Sequence, residues 1–275
     1  MKFGKTWAVY FSATGTTKKI VTELAHALAQ SLKTPLGDFD FTLPAARTAA
    51  PAISAEDLVV FGVPVYAGRV PNVLLKYLAT IESAGAVALP VSVYGNRDYD
   101  DALIELKDIL EERGFHVLSA GAFVGEHSFS DVLAKGRPDE SDIATVFRFA
   151  EQVAEKARRT SDKNAVSTPR VKGAPKPYRG YYQPRNADGT PADLRKVKPE
   201  VDGRCNGCLL CARVCPMGSI SFDNVREYRG ICIKCGACVK KCPQKARYYQ
   251  DAAYLCHKRE LEERLTRRAE PELFL

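Results

Sequence analysis

The first 204 residues contain no cysteine, and the whole 275-residue chain has one tryptophan and two methionines. No apolar run approaches the roughly 20 residues that span a bilayer, which argues against a membrane-spanning protein. The opening residues, MKFGKTWAVYF, predict a strand almost at once and leave no long apolar signal core. We therefore expect a soluble, cytoplasmic protein. No G-x-G-x-x-G motif follows a predicted strand, so no nicotinamide dinucleotide site is evident.

Eight of the nine cysteines fall in two blocks with the same spacing, C-x2-C-x2-C-x3-C-P. The blocks are CNGCLLCARVCP at 205–216 and CIKCGACVKKCP at 232–243. Disulfides would suit a secreted chain, which the opening residues do not predict. Zinc would need only two C-x2-C pairs, without a third evenly spaced cysteine or a fourth followed by proline. The spacing is that of the bacterial ferredoxins, which bind [4Fe–4S] clusters.

Over about residues 200–250 the chain resembles the two-cluster ferredoxins. The resemblance implies two [4Fe–4S] clusters, with the fourth cysteine of each block bound to the cluster of the other block. The expected ligands of one cluster are Cys205, Cys208, Cys211 and Cys242, and those of the other are Cys232, Cys235, Cys238 and Cys215. Cys256 lies outside both blocks and is expected to be a packed or free thiol.

The net charge of +7 is unevenly distributed along the chain. Residues 1–150 carry 14 Lys and Arg against 18 Asp and Glu, whereas residues 155–200 carry 12 against 5 and residues 201–275 carry 14 against 9. A basic patch raises nucleic acid as a partner, but no helix-turn-helix, zinc-finger or RNA-binding signature is present. We expect the basic residues to balance the negative charge of the clusters, and no nucleic acid partner.

Strand and helix patterns alternate over the first 160 residues. Apolar strands are predicted at 6–11, 58–65, 89–94 and 117–124, and helices at 18–32, 71–81, 99–113 and 139–158. Such repeated units predict an α/β fold, with a doubly wound parallel five-stranded sheet and helices on both faces. In such sheets ligands bind beyond the carboxyl ends of the strands.

Three loops at that edge have unusual chemistry. The first, SATGTT at 12–17, places hydroxyls and free N–H groups at a helix start, where a phosphate is favoured, although a hydroxyl-rich N-cap has the same pattern. The others are GVPVYAGRVP at 62–71 and YGNRDYDDAL at 94–103. Together they resemble the loops of the flavodoxin family, which binds FMN.

This second resemblance implies a set of FMN contacts. The phosphate would be bound by Ser12, Thr14, Gly15, Thr16 and Thr17, and the ring would be lined by Tyr66, Ala67, Gly68, Tyr94, Gly95, Asn96, Arg97 and Tyr99. Each tyrosine taken alone could equally be part of the wall of the sheet. Many flavodoxins place a tryptophan against the ring, but Trp7 begins the first strand, which leaves the stacking partner open. His127, in GEHSFS at 125–130, is either near the flavin or simply hydrogen-bonded.

The predicted order of domains is 1–160, a flavodoxin-like domain; 161–200, a basic Pro/Tyr-rich strap or linker; 201–250, a small α+β two-cluster ferredoxin domain; and 251–275, a C-terminal helix and tail. A charged helix is predicted at 257–270. The whole arrangement resembles the flavodoxin–ferredoxin fusion family of anaerobic bacteria and archaea. It implies electron transfer between FMN and two [4Fe–4S] clusters, with redox proteins as partners. Two alternatives are a flavin-dependent reductase of a small molecule and a binding protein with structural clusters.

Overall fold

Five parallel strands and the helices between them occupy the first 160 residues of the computed structural model, which describes residues 1–186 and 188–275. The elements are β1 (Lys5–Tyr10), α1 (Thr16–Leu32), β2 (Leu36–Asp40), β3 (Asp57–Pro64), α2 (Leu75–Leu78), β4 (Val87–Tyr94), α3 (Ala102–Glu112), β5 (His116–Val117), β6 (Ala120–Val124) and α4 (Glu140–Arg159). The parallel strands lie in the order β2-β1-β3-β4-β6, and the two-residue β5 pairs with β4. This confirms the predicted doubly wound sheet, whose order reverses between β1 and β3.

Helices cover both faces of the sheet. All of β4 is buried, as is β3 up to its last residue, which is typical of parallel strands between two helical layers. Helices α1 and α4 pack on one face through side chains such as Leu24 and Phe149. Leu78 of α2 and Leu106 of α3 pack on the other. The loops that follow β1, β3 and β4 therefore meet at one edge.

Two predicted helices are shorter than expected. The segment 71–81 forms a 3-10 turn, Asn72–Leu74, and then only the single turn of α2. The Thr80 hydroxyl donates to the Tyr77 carbonyl (2.7 Å) and so competes for an acceptor near the end of that turn. The helix predicted at 99–113 begins only at Ala102, because Asp100 has a left-handed backbone, with φ of 44°. The prediction of 139–158 is confirmed by α4.

The cysteine-rich module is built from two similar halves. It contains β7 (Glu200–Val201), α5 (Leu210–Arg213), α6 (Ala237–Lys240) and β8 (Arg247–Tyr248), with β7 and β8 antiparallel. Three left-handed backbone positions in the first half recur 27 residues further along, in the pairs Gly207 and Lys234, Leu209 and Gly236, and Gly218 and Lys245. Each pair has a glycine in only one half. The two halves therefore adopt the same turns even where a side chain is strained by them.

The last 25 residues return to the first domain. Helix α7 (Ala252–Arg264) buries Tyr254, His257 and Leu261. The helix predicted at 257–270 is thus wrong at both ends. It begins earlier, at Ala252, and it ends at Arg264 because Asn96 of the first domain hydrogen-bonds to the backbone of the residues that follow. Strand β9 (Glu272–Phe274) then pairs antiparallel with β6 and adds an unpredicted strand to the sheet. No helix within residues 1–186 and 188–275 combines the length and the apolar character needed to cross a membrane.

Candidate cofactor sites

The loop between β1 and α1 has the geometry expected of an anion site. Gly15, with φ of 106°, immediately precedes the 17-residue helix α1. The Ser12 Oγ accepts the Lys18 N–H (2.9 Å), which leaves its hydroxyl proton available, and Thr14 and Thr16 are partly exposed. Hydroxyls and the positive end of a helix dipole suit a phosphate, so the loop fits the phosphate of FMN.

A cavity of about 680 Å³ opens beyond β3 and β4, a size ordinary for a small-molecule site. Six of the eight residues expected to line the flavin ring line this cavity: Tyr66, Ala67, Gly68, Tyr94, Gly95 and Arg97. The phosphate loop is not part of this lining. The segment that follows β6 lies between the phosphate loop and the cavity. At one end Gly125 packs against Thr16 of the loop, since a Cβ there would lie 2.8 Å from it, and, two residues further on, His127 packs against Gly95 of the cavity wall, where a Cβ would collide with it.

The structure places Asn96 and Tyr99 away from the cavity. The Asn96 amide donates to the carbonyls of Leu265 (3.0 Å) and Arg267 (2.7 Å), and its oxygen accepts the Ala269 N–H (3.0 Å). The Tyr99 hydroxyl donates to Glu272 (2.7 Å). Both side chains are buried and hold the segment that leads to β9. They therefore have a structural role that their position in the loop does not reveal.

The tight turn Tyr66–Arg69 forms one wall of the cavity. Tyr66 and Arg69 exchange both backbone hydrogen bonds (3.0 and 3.1 Å), and Ala67 and Gly68 both have positive φ, of 50° and 78°. A Cβ on Gly68 would collide with the carboxylate of Asp100. The glycine is thus required by turn geometry and by close approach.

The remaining walls come from parts of the chain far from the three loops. Besides residues 127–129 after β6, they include Tyr182–Pro184 and Pro191–Arg195 of the strap (residues 161–200), Ile233 and Lys234 between two cysteines, and His257 and Leu261 of α7. Tyr182 lies over the guanidinium of Arg97 (4.3 Å), and its N–H donates to the Ala67 carbonyl (2.8 Å). These residues were missed from the sequence. The tyrosines of the strap were the only available signal.

Two histidines, the half-buried His127 and the buried His257, line the cavity. Burial, and then the nearby His257, Lys240 and Arg97, lower the pKa of His127 to about 4, so its ring is neutral at physiological pH. His127 Nδ1 accepts the Phe129 N–H (3.1 Å). Burial also lowers the pKa of His257, and this outweighs the opposing effect of the Glu260 carboxylate, which lies 3.6 Å from its Nδ1. Trp7 is elsewhere, bonded to Asp57 (2.9 Å), and the aromatic side chains that line the cavity are tyrosines and Phe129.

The eight block cysteines line two separate cavities. Cys205, Cys208, Cys211 and Cys242 line the outer cysteine cavity, and Cys215, Cys232, Cys235 and Cys238 line the inner cysteine cavity. Each set contains three cysteines of one block and the fourth of the other. Corresponding backbone N–H groups, of Ser219 and Ala246, donate to the sulfurs of Cys215 (3.4 Å) and Cys242 (3.3 Å).

Four cysteines line each cavity, which is the number of thiolate ligands that a [4Fe–4S] cluster takes. In the described ranges no group of three or more His, Cys, Asp or Glu is gathered so as to hold a metal ion. Burial raises the pKa of the Cys235 thiol to about 12 and also raises that of Cys238. Such thiols stay protonated until a metal binds, because coordination deprotonates a thiol outright.

The inner cysteine cavity is packed against the first domain. Cys235 and Ala237 belong to the same apolar cluster as Phe11 and Phe41. Lys240 bonds to Glu126 (2.5 Å) and to the Ser130 carbonyl (2.6 Å). Burial, followed by the sulfurs of Cys235 and Cys232, raises the pKa of Tyr66.

The wall between the inner cysteine cavity and the 680 Å³ cavity is short. Ile233 and Lys234 line the larger cavity, and they lie between Cys232 and Cys235 in the chain. Two residues therefore connect the surfaces of the two sites.

Comparisons with known proteins agree with this arrangement. A family model described as a flavodoxin domain matches residues 8–101, and one described as a 4Fe-4S dicluster domain matches residues 204–247. No curated protein matches the chain.

Three solved structures resemble the first domain. A flavodoxin from the domain Archaea is 14% identical, covering 56% of this chain and 99% of its own, with a TM-score of 0.41. An oxidised flavodoxin 2 from Bacillus cereus is 19% identical, covering 57% and 99%, with a TM-score of 0.36. An NADH:FMN oxidoreductase in its apo form is 15% identical, covering 60% and 95%, with a TM-score of 0.42. From the two matched segments and the strand order, the chain has the architecture of the flavodoxin–ferredoxin fusions: a flavodoxin domain followed by a 4Fe–4S dicluster domain.

Proposed function

We propose that this redox protein carries electrons between one FMN, held in the 680 Å³ cavity, and two [4Fe–4S] clusters, held in the two cysteine cavities. The observation that carries the proposal is that Ile233 lines both the 680 Å³ cavity and the inner cysteine cavity, with Lys234 beside it on the larger one. FMN exchanges one or two electrons and a [4Fe–4S] cluster exchanges one, so together they couple the two kinds of redox step.

The residues of the chain have separate tasks in this function. Ser12, Thr14 and Thr16 bind the phosphate with the N–H groups at the start of α1. The turn Tyr66–Arg69 and Tyr94 hold the ring. The eight block cysteines supply thiolates, and exchange of the fourth cysteine fastens the two halves of the module together.

The covering of the cavity supports a carrier rather than an enzyme that takes substrates directly from solvent. Tyr182 of the strap and Leu261 of α7 lie on the sides that the three loops leave open. They narrow the opening to the ring and reduce direct contact with large partners. We propose that redox proteins exchange electrons through the cysteine-rich module, in a reducing compartment such as the cytoplasm, where cysteines stay reduced and can bind clusters.

A reductase of a small molecule is the second candidate. His257, whose Nδ1 lies 3.6 Å from the Glu260 carboxylate, and Arg195, which pairs with Asp193, both line the cavity, and they would suit a small polar substrate beside the flavin. In that case the clusters would pass electrons from a redox protein to the flavin.

Stopped-flow spectroscopy separates the two functions. Protein loaded anaerobically with FMN and iron–sulfide is reduced and then mixed with redox proteins or with a panel of small organic acceptors. A carrier exchanges electrons rapidly with redox proteins and turns over none of the organic acceptors. Multiple turnover of one organic acceptor, abolished by His257→Ala with FMN and iron retained, would establish the reductase instead.

A further inference from the structure

The two cysteine cavities differ in their access to solvent. Cys208 of the outer cavity is exposed, whereas Cys235 and Cys238 of the inner cavity are each only 9% exposed. The inner cavity is covered by the flavodoxin domain, since Gly236 lies so close to the Ser128 carbonyl that a Cβ would approach it to 2.6 Å. A large partner therefore reaches the outer cavity more readily than the inner one.

Basic residues are concentrated around the outer cavity. Residues 201–250 contain nine Lys and Arg against three Asp and Glu, a net of +6. Three of the nine point inward: Lys234 and Lys240 are half-buried, and Arg247 is 3% exposed. Arg226 and Arg229 bind the Val201 carbonyl and Asp223.

The other four, Arg204, Arg213, Lys241 and Lys245, are exposed. They form what we call the outer basic face. Arg204 lies beside Cys205 and pairs with Asp202 (2.6 Å), while Arg213 donates to the Cys208 carbonyl (2.6 Å). Lys241 and Lys245 flank Cys242. Over the part of the chain that the structure describes, no carboxylate forms an ion pair with Arg213, Lys241 or Lys245.

We propose that the outer basic face is the surface on which an acidic one-electron redox protein docks. The inference rests on the proposed function, because it assigns the point at which that function meets its partner. Unpaired surface cations attract an acidic partner, raise its association rate and orient it over Cys208. One electron crosses the contact, so one protein is oxidised as the other is reduced, and no bond or proton changes.

Charge reversal tests the proposal on the full chain loaded with FMN and clusters. Lys241→Glu with Lys245→Glu removes two exposed cations. The matched control, Arg148→Glu with Arg159→Glu, makes the same change in net charge on the exposed face of α4, which is in the flavodoxin domain. Each protein is reduced and mixed with anionic iron(III)–EDTA, cationic hexaammineruthenium(III) or a purified acidic two-cluster ferredoxin.

At low ionic strength the Lys241/Lys245 variant should react about tenfold more slowly with iron–EDTA and with the acidic ferredoxin, and faster with the ruthenium complex. The difference from the unaltered protein should vanish in high salt. The control variant should keep the original ratio of rates. An unchanged ratio of anionic to cationic rates, or an equal change in the control, would overturn the docking surface.

Iron, sulfide and FMN content separate this failure from a failure of the proposed function. If the unaltered protein binds no clusters or no FMN, both proposals are wrong. If all proteins are fully loaded and only the charge dependence is missing, the docking surface alone is wrong. If the charge reversal releases iron, Lys241→Gln with Lys245→Gln is used instead. It should change the ratio of anionic to cationic rates in the same direction but by less, and an unchanged ratio in this variant also counts against the proposal.

Discussion

Asp101 anchors the strap over the flavin cavity, and its replacement by asparagine should loosen that strap. The side chain is fully buried at the start of α3. One carboxylate oxygen accepts the Ala174 N–H (2.9 Å) and the other accepts the Arg179 N–H (2.8 Å). The Arg179 guanidinium is also bonded to the carboxylate (2.5 Å). Because both backbone donors belong to the strap, this single carboxylate of the flavodoxin domain holds the strap at two points.

The magnitude follows from these three donors. A hydrogen bond to a charged group contributes about 1.5–3 kcal/mol, and Asp101→Asn removes the charge while turning an NH₂ group toward one of the donors. A cost of about 2 kcal/mol to local closure corresponds to a roughly 30-fold larger population of the opened strap. Because Tyr182 then leaves the cavity wall, FMN should also dissociate several-fold faster.

Hydrogen–deuterium exchange of residues 174–183 and stopped-flow release of FMN measure the two effects. Asp162→Asn, an exposed carboxylate near the beginning of the same connection, is the control and should change neither. Protection in Asp101→Asn equal to that of the unaltered protein would refute the assignment of Asp101 as the anchor.

The pH dependence of strap closure has a definite sign. Burial by itself would raise the pKa of Asp101, but the Arg179 side chain and the two backbone N–H groups outweigh it and lower the pKa to about 2 from 3.8. The stabilisation is therefore fully present above about pH 4 and is lost as the pH falls toward 2. Exchange corrected for its intrinsic rate should show no pH-dependent contribution from Asp101 between about pH 5 and 8.

Three further predictions concern the cofactors and the cysteine-rich module. Anaerobically prepared protein should contain about eight iron and eight sulfide per chain; Cys215→Ala should lower both by about half and Cys256→Ala should not, whereas zinc with negligible sulfide would contradict the clusters. Thr14→Val with Thr16→Val should weaken FMN binding at least about tenfold and riboflavin binding little; equal losses in fluorescence titrations would show that the loop binds no phosphate. Lys245→Gly should raise the stability of the loaded protein by about 0.5–1 kcal/mol, since φ is 48° there; an unchanged urea midpoint would mean that the turn is unstrained.

Much of the fold could be predicted because its signals are local. The apolar runs of β3 and β4 are continuous, as strands buried on both faces require, and α1 follows its polar loop with helical spacing. The grouping of the cysteines into two sets could also be predicted, because thiolate ligation imposes a fixed spacing on the chain. Ligation itself remains a prediction.

The rest of the site depends on contacts between distant parts of the chain. Asn96 and Tyr99 lie in the loop with the right composition, but their partners are residues 265–272, far away in sequence. Both side chains bond to these distant residues and not to groups in the cavity, and the local sequence does not indicate this. In the same way, Tyr182 and His257 reach the cavity only because the strap and α7 fold back over it.

Strand β9 makes the edge of the flavodoxin sheet depend on residues that follow the whole cysteine-rich module. During synthesis β6 must wait, with its outer backbone groups unpaired, until the module and α7 have been translated. Its residues AGAFV are apolar, and an open apolar edge pairs readily with another copy of itself. A fragment that stops near residue 160 keeps that edge permanently open. Edge-to-edge association is therefore the expected fate of an isolated flavodoxin half, because only β9 closes the sheet on that side.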